Sequence, residues 1–176
     1  KRGLGIRDIT NFNLALLGKW QWNLFHNHGD LWVQVLESKY GGWRRLDDTR
    51  RLVSQLIWWR DLCNISNPTD EDGWFKKGAK WSLGCGSKVL FWEDDWREDG
   101  VPLKLKYPRL YLISQQQQHN IQQMGITSQT GWEWQFRWRR GFLEGEVLAA
   151  INFLEELQGL LIQEQQQDSW KWEADR

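Results

Sequence analysis

Cysteine, proline and methionine are scarce in these 176 residues, at two, three and one. Cys63 and Cys85 form no Cys-x-x-Cys pair and have no paired histidine nearby, so no zinc site can be argued. Free thiols in a reducing compartment are expected. His26 and His28, with Asn27 and Gly29, read as a loop and not as a ligand pair. No apolar run approaches the ~18 residues of a membrane span, and no basic-then-apolar leader is visible, so a soluble chain without membrane contact is expected. The sequence opens without an initiator, and its one methionine is Met124, which reads as a piece of something longer. Also missing are a Gly-x-Ser-x-Gly elbow, a phosphate-binding loop and a Cys/His pair. Gly3-Leu4-Gly5-Ile6 is too short for a nucleotide loop. No cofactor, metal ligand or catalytic residue is expected.

A surplus of charge is missing as well, because 23 Lys and Arg balance 23 Asp and Glu. That balance argues against strong, autonomous DNA binding. The distribution is uneven, however. Residues 1 to 60 carry ten basic against five acidic side chains and 101 to 140 carry six against one, whereas 61 to 100 and 141 to 176 are acidic. Such blocks suit complementary surfaces within one molecule, or basic faces for a nucleic-acid backbone.

Tryptophan is the opposite case, with 15 copies. A large apolar ring with one N–H donor suits cores, interfaces and stacking on bases. Core use is the simplest account.

The pattern along the chain predicts an α+β fold, mainly helical with a small β-hairpin and an extended aromatic segment. Leu16, Leu17, Trp20 and Leu24 mark one helix face, with Asn11 or Asn13 as cap. Asp30 can cap a second helix carrying Trp32, Val35, Leu36 and Tyr40, and Gly41-Gly42 can end it. A third helix is expected to begin between Thr49 and Ser54, and 64 to 73 reads as a loop. Lys80 to Trp92, broken by Gly84 to Ser87, reads as a hairpin whose second strand is covered on both faces. Pro102 can open a short helix that Pro108 interrupts. Gln115 to Gln123 holds six glutamines and reads as a solvated linker or loop. Trp132, Trp134, Phe136 and Trp138 alternate with polar residues, so they share one face of an extended segment. Val147, Ile151, Leu154, Leu157 and Leu161 stripe a last helix. The expected division is 1–114 as a helical region with the Trp-rich hairpin, 115–130 as a Gln-rich linker, and 131–176 as aromatic segment, helix and the truncated start of a further domain.

Trp92-Glu93-Asp94-Asp95 imitates the acidic turn on which polymerases hold two metal ions. That turn lies between paired strands, and Trp96 to Gly100 cannot supply the second one. No third carboxylate is placed on a neighbouring strand. The acids read as a solvated strand end, and the chain as a non-enzyme.

Six strings carry a resemblance: RGLGIRDITNFNLALLGKWQW, LWVQVLESKYG, WWRDL, WSLGCGSKVLFWEDDW, VPLKLKYPRLY and WEWQFRWRR. In this order and spacing they resemble plant LINE-type (non-LTR) retrotransposon polyproteins, in the segment between the reverse transcriptase domain and a Cys/His zinc-binding domain. The resemblance implies an RNA-directed DNA polymerase as the parent protein, with its catalytic acids upstream of this segment and the zinc ligands downstream. It implies the adjacent polymerase and zinc-binding domains as partners, and a nuclear or cytoplasmic setting. The expected role is a non-catalytic connector that packs on the polymerase and offers a basic, aromatic surface to template RNA or target DNA. Arg44, Arg45, Arg50, Arg51, Arg137, Arg139 and Arg140 would meet phosphates, and Trp134 and Trp138 would stack on bases. Two other readings stand beside it: a purely structural interaction module, and a degenerate retroelement remnant.

Overall fold

The computed structural model describes residues 8–47, 56–66, 74–129 and 131–173. The chain divides into two compact units, residues 1–78 and 79–174. The division falls beside Ala79, well before the expected boundary at 114.

The first unit is helical. Helix α1 spans Ile9–His26, and Asp8, not Asn11 or Asn13, is its cap, accepting from the amides of Thr10 and Asn11 at 2.9 and 3.3 Å. Its buried side chains are Leu17, Gln21, Leu24 and Phe25, while Leu16 and Trp20 are each 42% exposed, so the packed face keeps Leu17 and Leu24 of the expected one but is rotated from it. Helix α2 spans Leu31–Tyr40 and ends where Gly41 takes the left-handed conformation at φ 85°. That geometry favours glycine because a Cβ there is strained. Asp30 precedes α2, but its carboxylate accepts from the Trp32 indole instead of capping. A 3-10 turn at Trp43–Asp47 follows, then α3 at Ile57–Ser66 and α4 at Trp74–Gly78. The expected start of α3, between 49 and 54, lies outside the described residues. Tyr40 stacks on the buried Trp59 with ring centroids 4.4 Å apart.

The second unit holds the aromatic core. Strand β1, Ala79–Ser82, pairs antiparallel with β4, Ser169–Trp172, with Trp81 opposite Trp170. The hairpin expected from Lys80 to Trp92 is therefore not formed. Its physical reason is Asp168, a carboxylate only 2% exposed. One oxygen accepts from the amides of Gly84 and Gly86 and the other from Lys88, each at 2.8 Å. The loop curls around this anion, and Cys85 donates its amide to the Gln166 carbonyl. A Cβ on Gly84 would fall 2.2 Å from that same carbonyl oxygen, so only glycine fits. The covering expected for the following residues is present: Phe91 and Trp92 are fully buried, and Trp92 stacks on Phe153 at 5.3 Å and 6°.

Helices α5, Leu103–Lys106, and α6, Pro108–Ile113, are separated at Pro108, which opens α6. Strands β2, Gly125–Ser128, and β3, Gly131–Trp134, make an antiparallel hairpin that the sequence pattern does not announce. Beyond β3 the chain stays extended: Trp138 bridges Ser114, and Arg139 donates its amide to the Ile113 carbonyl at 2.8 Å. The glutamine stretch is a loop with most of its glutamines exposed, but Gln116 is tied into the fold. Gln116 is 3% exposed, and its side-chain amide donates to the Gln135 carbonyl and accepts from the Arg137 amide. A buried carboxamide thus replaces one rung of a ladder, satisfying backbone groups that would otherwise be orphaned. Helix α7, Glu144–Leu157, buries Glu146, Ala150, Phe153 and Leu157. Of the expected stripe, Leu157 faces inward and Val147, Ile151 and Leu154 face out.

Candidate nucleic-acid interface and the acidic turn

The acidic turn is built into the second unit. The Leu90 amide donates to the Asp94 carboxylate at 2.6 Å, and the Asp94 amide donates back to the Leu90 carbonyl at 3.1 Å. This reciprocal pair closes the turn as a capping side chain closes a helix end. Glu93 accepts from the Lys104 ammonium and, at 2.8 Å, from the Tyr111 hydroxyl. That hydrogen bond, with some burial, pushes the Tyr111 hydroxyl above its ordinary pKa. The buried Trp96 donates its indole N–H to the Phe91 carbonyl at 2.9 Å. Two of the three acids are thus committed to backbone or to fixed cations. Among the described residues, no three His, Cys, Asp or Glu side chains are grouped so as to hold a metal ion. His28 pairs with Glu37, while His26 meets the Trp22 carbonyl.

The basic side chains fall into two sets. In the first unit Arg44 lies over the Trp43 ring, 4.3 Å from its centroid, and the stem of Arg45 covers the left-handed Gly41. Arg50 and Arg51 lie outside the described residues. In the second unit β3 and the extended chain after it hold Trp132, Trp134 and Trp138 half-buried on one side and expose Arg137 and Arg139 on the other. Neither of these guanidinium groups has a hydrogen bond or ion pair among the described residues. They sit two positions apart on an extended backbone, so their stems leave the same face about 7 Å apart.

Arg140 behaves differently. Both of its terminal nitrogens bind the Glu146 carboxylate, each at 2.8 Å, in a bidentate fork. Glu146, 4% exposed, also accepts from the Leu143 amide at 2.9 Å, which satisfies an open donor at the start of α7. The Arg140 hydrogen bonds first, then the Leu143 amide, and the nearby charge of Arg109 among lesser causes, hold the Glu146 carboxyl at about 2. Arg109, on α6, joins this basic cluster without any signal in the sequence. Its approach to α7 could be found only in three dimensions.

Trp134 and Trp138 serve the core. Trp134 stacks on Phe136 at 5.8 Å and 8° and donates to the Leu157 carbonyl. Trp138 meets the edges of Trp92 and Phe153, and Phe142 lies 5.2 Å from it. Both rings remain half-buried.

Over 104 residues, 57% of its length, the chain is 32% identical to an Arabidopsis thaliana protein named "Putative ribonuclease H protein At1g65750". The chain spans 16% of that relative's length. The similarity is distant, and it is to a plant protein that bears a ribonuclease H name. No family model matches the chain, and no solved structure matches it.

Proposed function

We propose that this chain is a non-catalytic connector from a plant LINE-type retrotransposon polyprotein, lying between its reverse transcriptase and zinc-binding domains and packing on its neighbours. The observation that carries the reading is the turn at Asp94, whose carboxylate accepts the Leu90 amide at 2.6 Å and so serves the backbone. The similarity to a plant ribonuclease H-named protein of much greater length supports a retroelement origin. In this reading polymerase and nuclease chemistry reside elsewhere in such a protein. Nuclease and polymerase sites of this kind need converging carboxylates with two metal ions. The test is an assay of the chain with Mg²⁺ or Mn²⁺ on primed RNA template and on an RNA–DNA hybrid. Neither extension nor cleavage is expected. Either activity, if abolished by Asp94→Asn or Asp95→Asn, overturns the proposal.

A second reading adds nucleic-acid contact to the connector. Arg137 and Arg139 favour it, because both are exposed and neither guanidinium has a partner among the described residues. The competing account is a purely structural module, in which these two arginines are solvated.

A further inference from the structure

Helix α7 is apolar on both sides. Ala150, Phe153 and Leu157 fill the core, yet Leu143, Val147, Leu148, Ile151 and Leu154 all face solvent, Leu148 being 70% exposed. At 100° per residue, Val147, Leu148, Ile151 and Leu154 form one continuous outward strip along the helix. Surface leucines are ordinary one at a time, whereas a contiguous apolar strip on a folded helix marks an interaction site.

Charge indicates what covers it. Glu144 and Glu155 stand at the two ends of the strip, about 16 Å apart along the axis. Neither carboxylate has a hydrogen bond or ion pair among the described residues. Glu144 sits favourably at the positive end of the helix dipole. Glu155 sits in the last turn, where the carbonyl ends are negative and a cation is the stabilising neighbour. That turn contains no basic residue. The adjacent Glu156 is neutralised by Lys106, but Glu155 has no such partner among the described residues. A second copy does not answer this need, because α7 carries four glutamates and no basic side chain, so paired copies would set carboxylate against carboxylate.

We propose that the outward face of α7 docks an amphipathic helix of a partner protein, with leucine-like residues on the strip and a lysine or arginine over Glu155. The apolar strip provides the area and Glu155 fixes the orientation, as in other helix-in-groove contacts. This surface does not depend on the retroelement reading.

The test titrates the whole chain with a synthetic helix of two Leu-Lys-Lys-Leu-Leu-Lys-Leu heptads, and with a twin bearing glutamate for lysine. The lysine peptide should bind, and the glutamate peptide should bind at least about tenfold more weakly. Leu148→Gln combined with Ile151→Gln should cost about tenfold in affinity, and Glu155→Gln about threefold at low salt. These positions are exposed, so far-UV circular dichroism and the thermal midpoint should stay at the parent values. Absence of binding, equal affinity for both peptides, or indifference to the double variant would overturn the proposal. A dimer seen by sedimentation and dissolved by Leu148→Gln would also overturn it, in favour of self-association.

Discussion

The carboxylate of Asp168 accepts the Gly84 amide at 2.8 Å and thereby ties the end of the chain to a loop 84 positions earlier. The same carboxylate holds Gly86 and Lys88, so three backbone donors converge on one buried anion. Asp168→Ala would leave these donors unpaired, and buried unpaired donors cost about 1–3 kcal/mol each before relaxation. A loss of about 3 kcal/mol or more is expected in urea unfolding. Asp168→Asn keeps one acceptor oxygen but turns an NH2 group toward a donor, so about 1–3 kcal/mol is expected. Unchanged midpoints for both variants would mean that the loop stands without its anion.

The two residues at the centre of the Gly-Cys-Gly and Phe-Trp stretch should respond very differently. Trp92 is fully buried against Phe153. Its truncation to alanine should cost about 3–5 kcal/mol through lost burial and the cavity left behind. Cys85 is half-exposed, and among the described residues its thiol has one hydrogen-bond partner, the Ser87 hydroxyl at 3.2 Å. Cys85→Ser should change stability by about 1 kcal/mol or less. Denaturant midpoints measured side by side check the contrast, and equal losses would refute it.

What could be read from the sequence was whatever local pattern decides. Gly41 ends α2, Pro108 divides α5 from α6, and the alternation from Trp132 to Trp138 turns the aromatic side chains inward. The missed features are those in which a distant group replaces a local one. Trp81 pairs with Trp170, not with its neighbour across the glycines, because Asp168 draws the loop away. Gln116 looks solvated until the backbone of Gln135 and Arg137 takes up its amide. The stripe through Val147, Ile151 and Leu154 is a true helical period on the wrong side, since α7 has an apolar row on each face. Among the candidate phosphate-binding residues, the sequence grouped Arg140 with Arg137 and Arg139, although a glutamate six positions on binds its guanidinium.

Glu146 gives the second unit a pH signature. Its carboxyl is held at about 2 in the folded chain, against an ordinary 4.5. A depressed folded value favours the ionised form, so the resulting stabilisation is full above about 4.5 and fades as the pH falls toward about 2. Arg140, its partner, stays charged throughout that window. Glu146→Gln should therefore lower stability at neutral pH and flatten the acid limb of the curve between those values. Thermal unfolding of parent and variant from about pH 2 to about pH 6 checks this. Parallel curves would show that the fork to Arg140 contributes nothing that titrates.

Arg137 and Arg139 can be separated from Arg140 by salt. Each phosphate that a basic side chain neutralises adds roughly 0.7 to 0.9 to the slope of log affinity against log salt, so removing two such side chains should lower it by about 1.5. The double variant Arg137→Ala, Arg139→Ala should show that change on single-stranded RNA or DNA while keeping the parent stability, because neither side chain has a partner among the described residues to give up. Arg140→Ala should do the reverse. It abandons the nearly buried Glu146 carboxylate, so it should weaken the fold and leave the salt slope nearly unchanged. Trp138→Ala belongs with Arg140, since its ring meets Trp92 and Phe153 in the core. If the parent chain shows no salt-sensitive binding at low ionic strength, the two arginines are solvent-facing charges and the nucleic-acid reading fails.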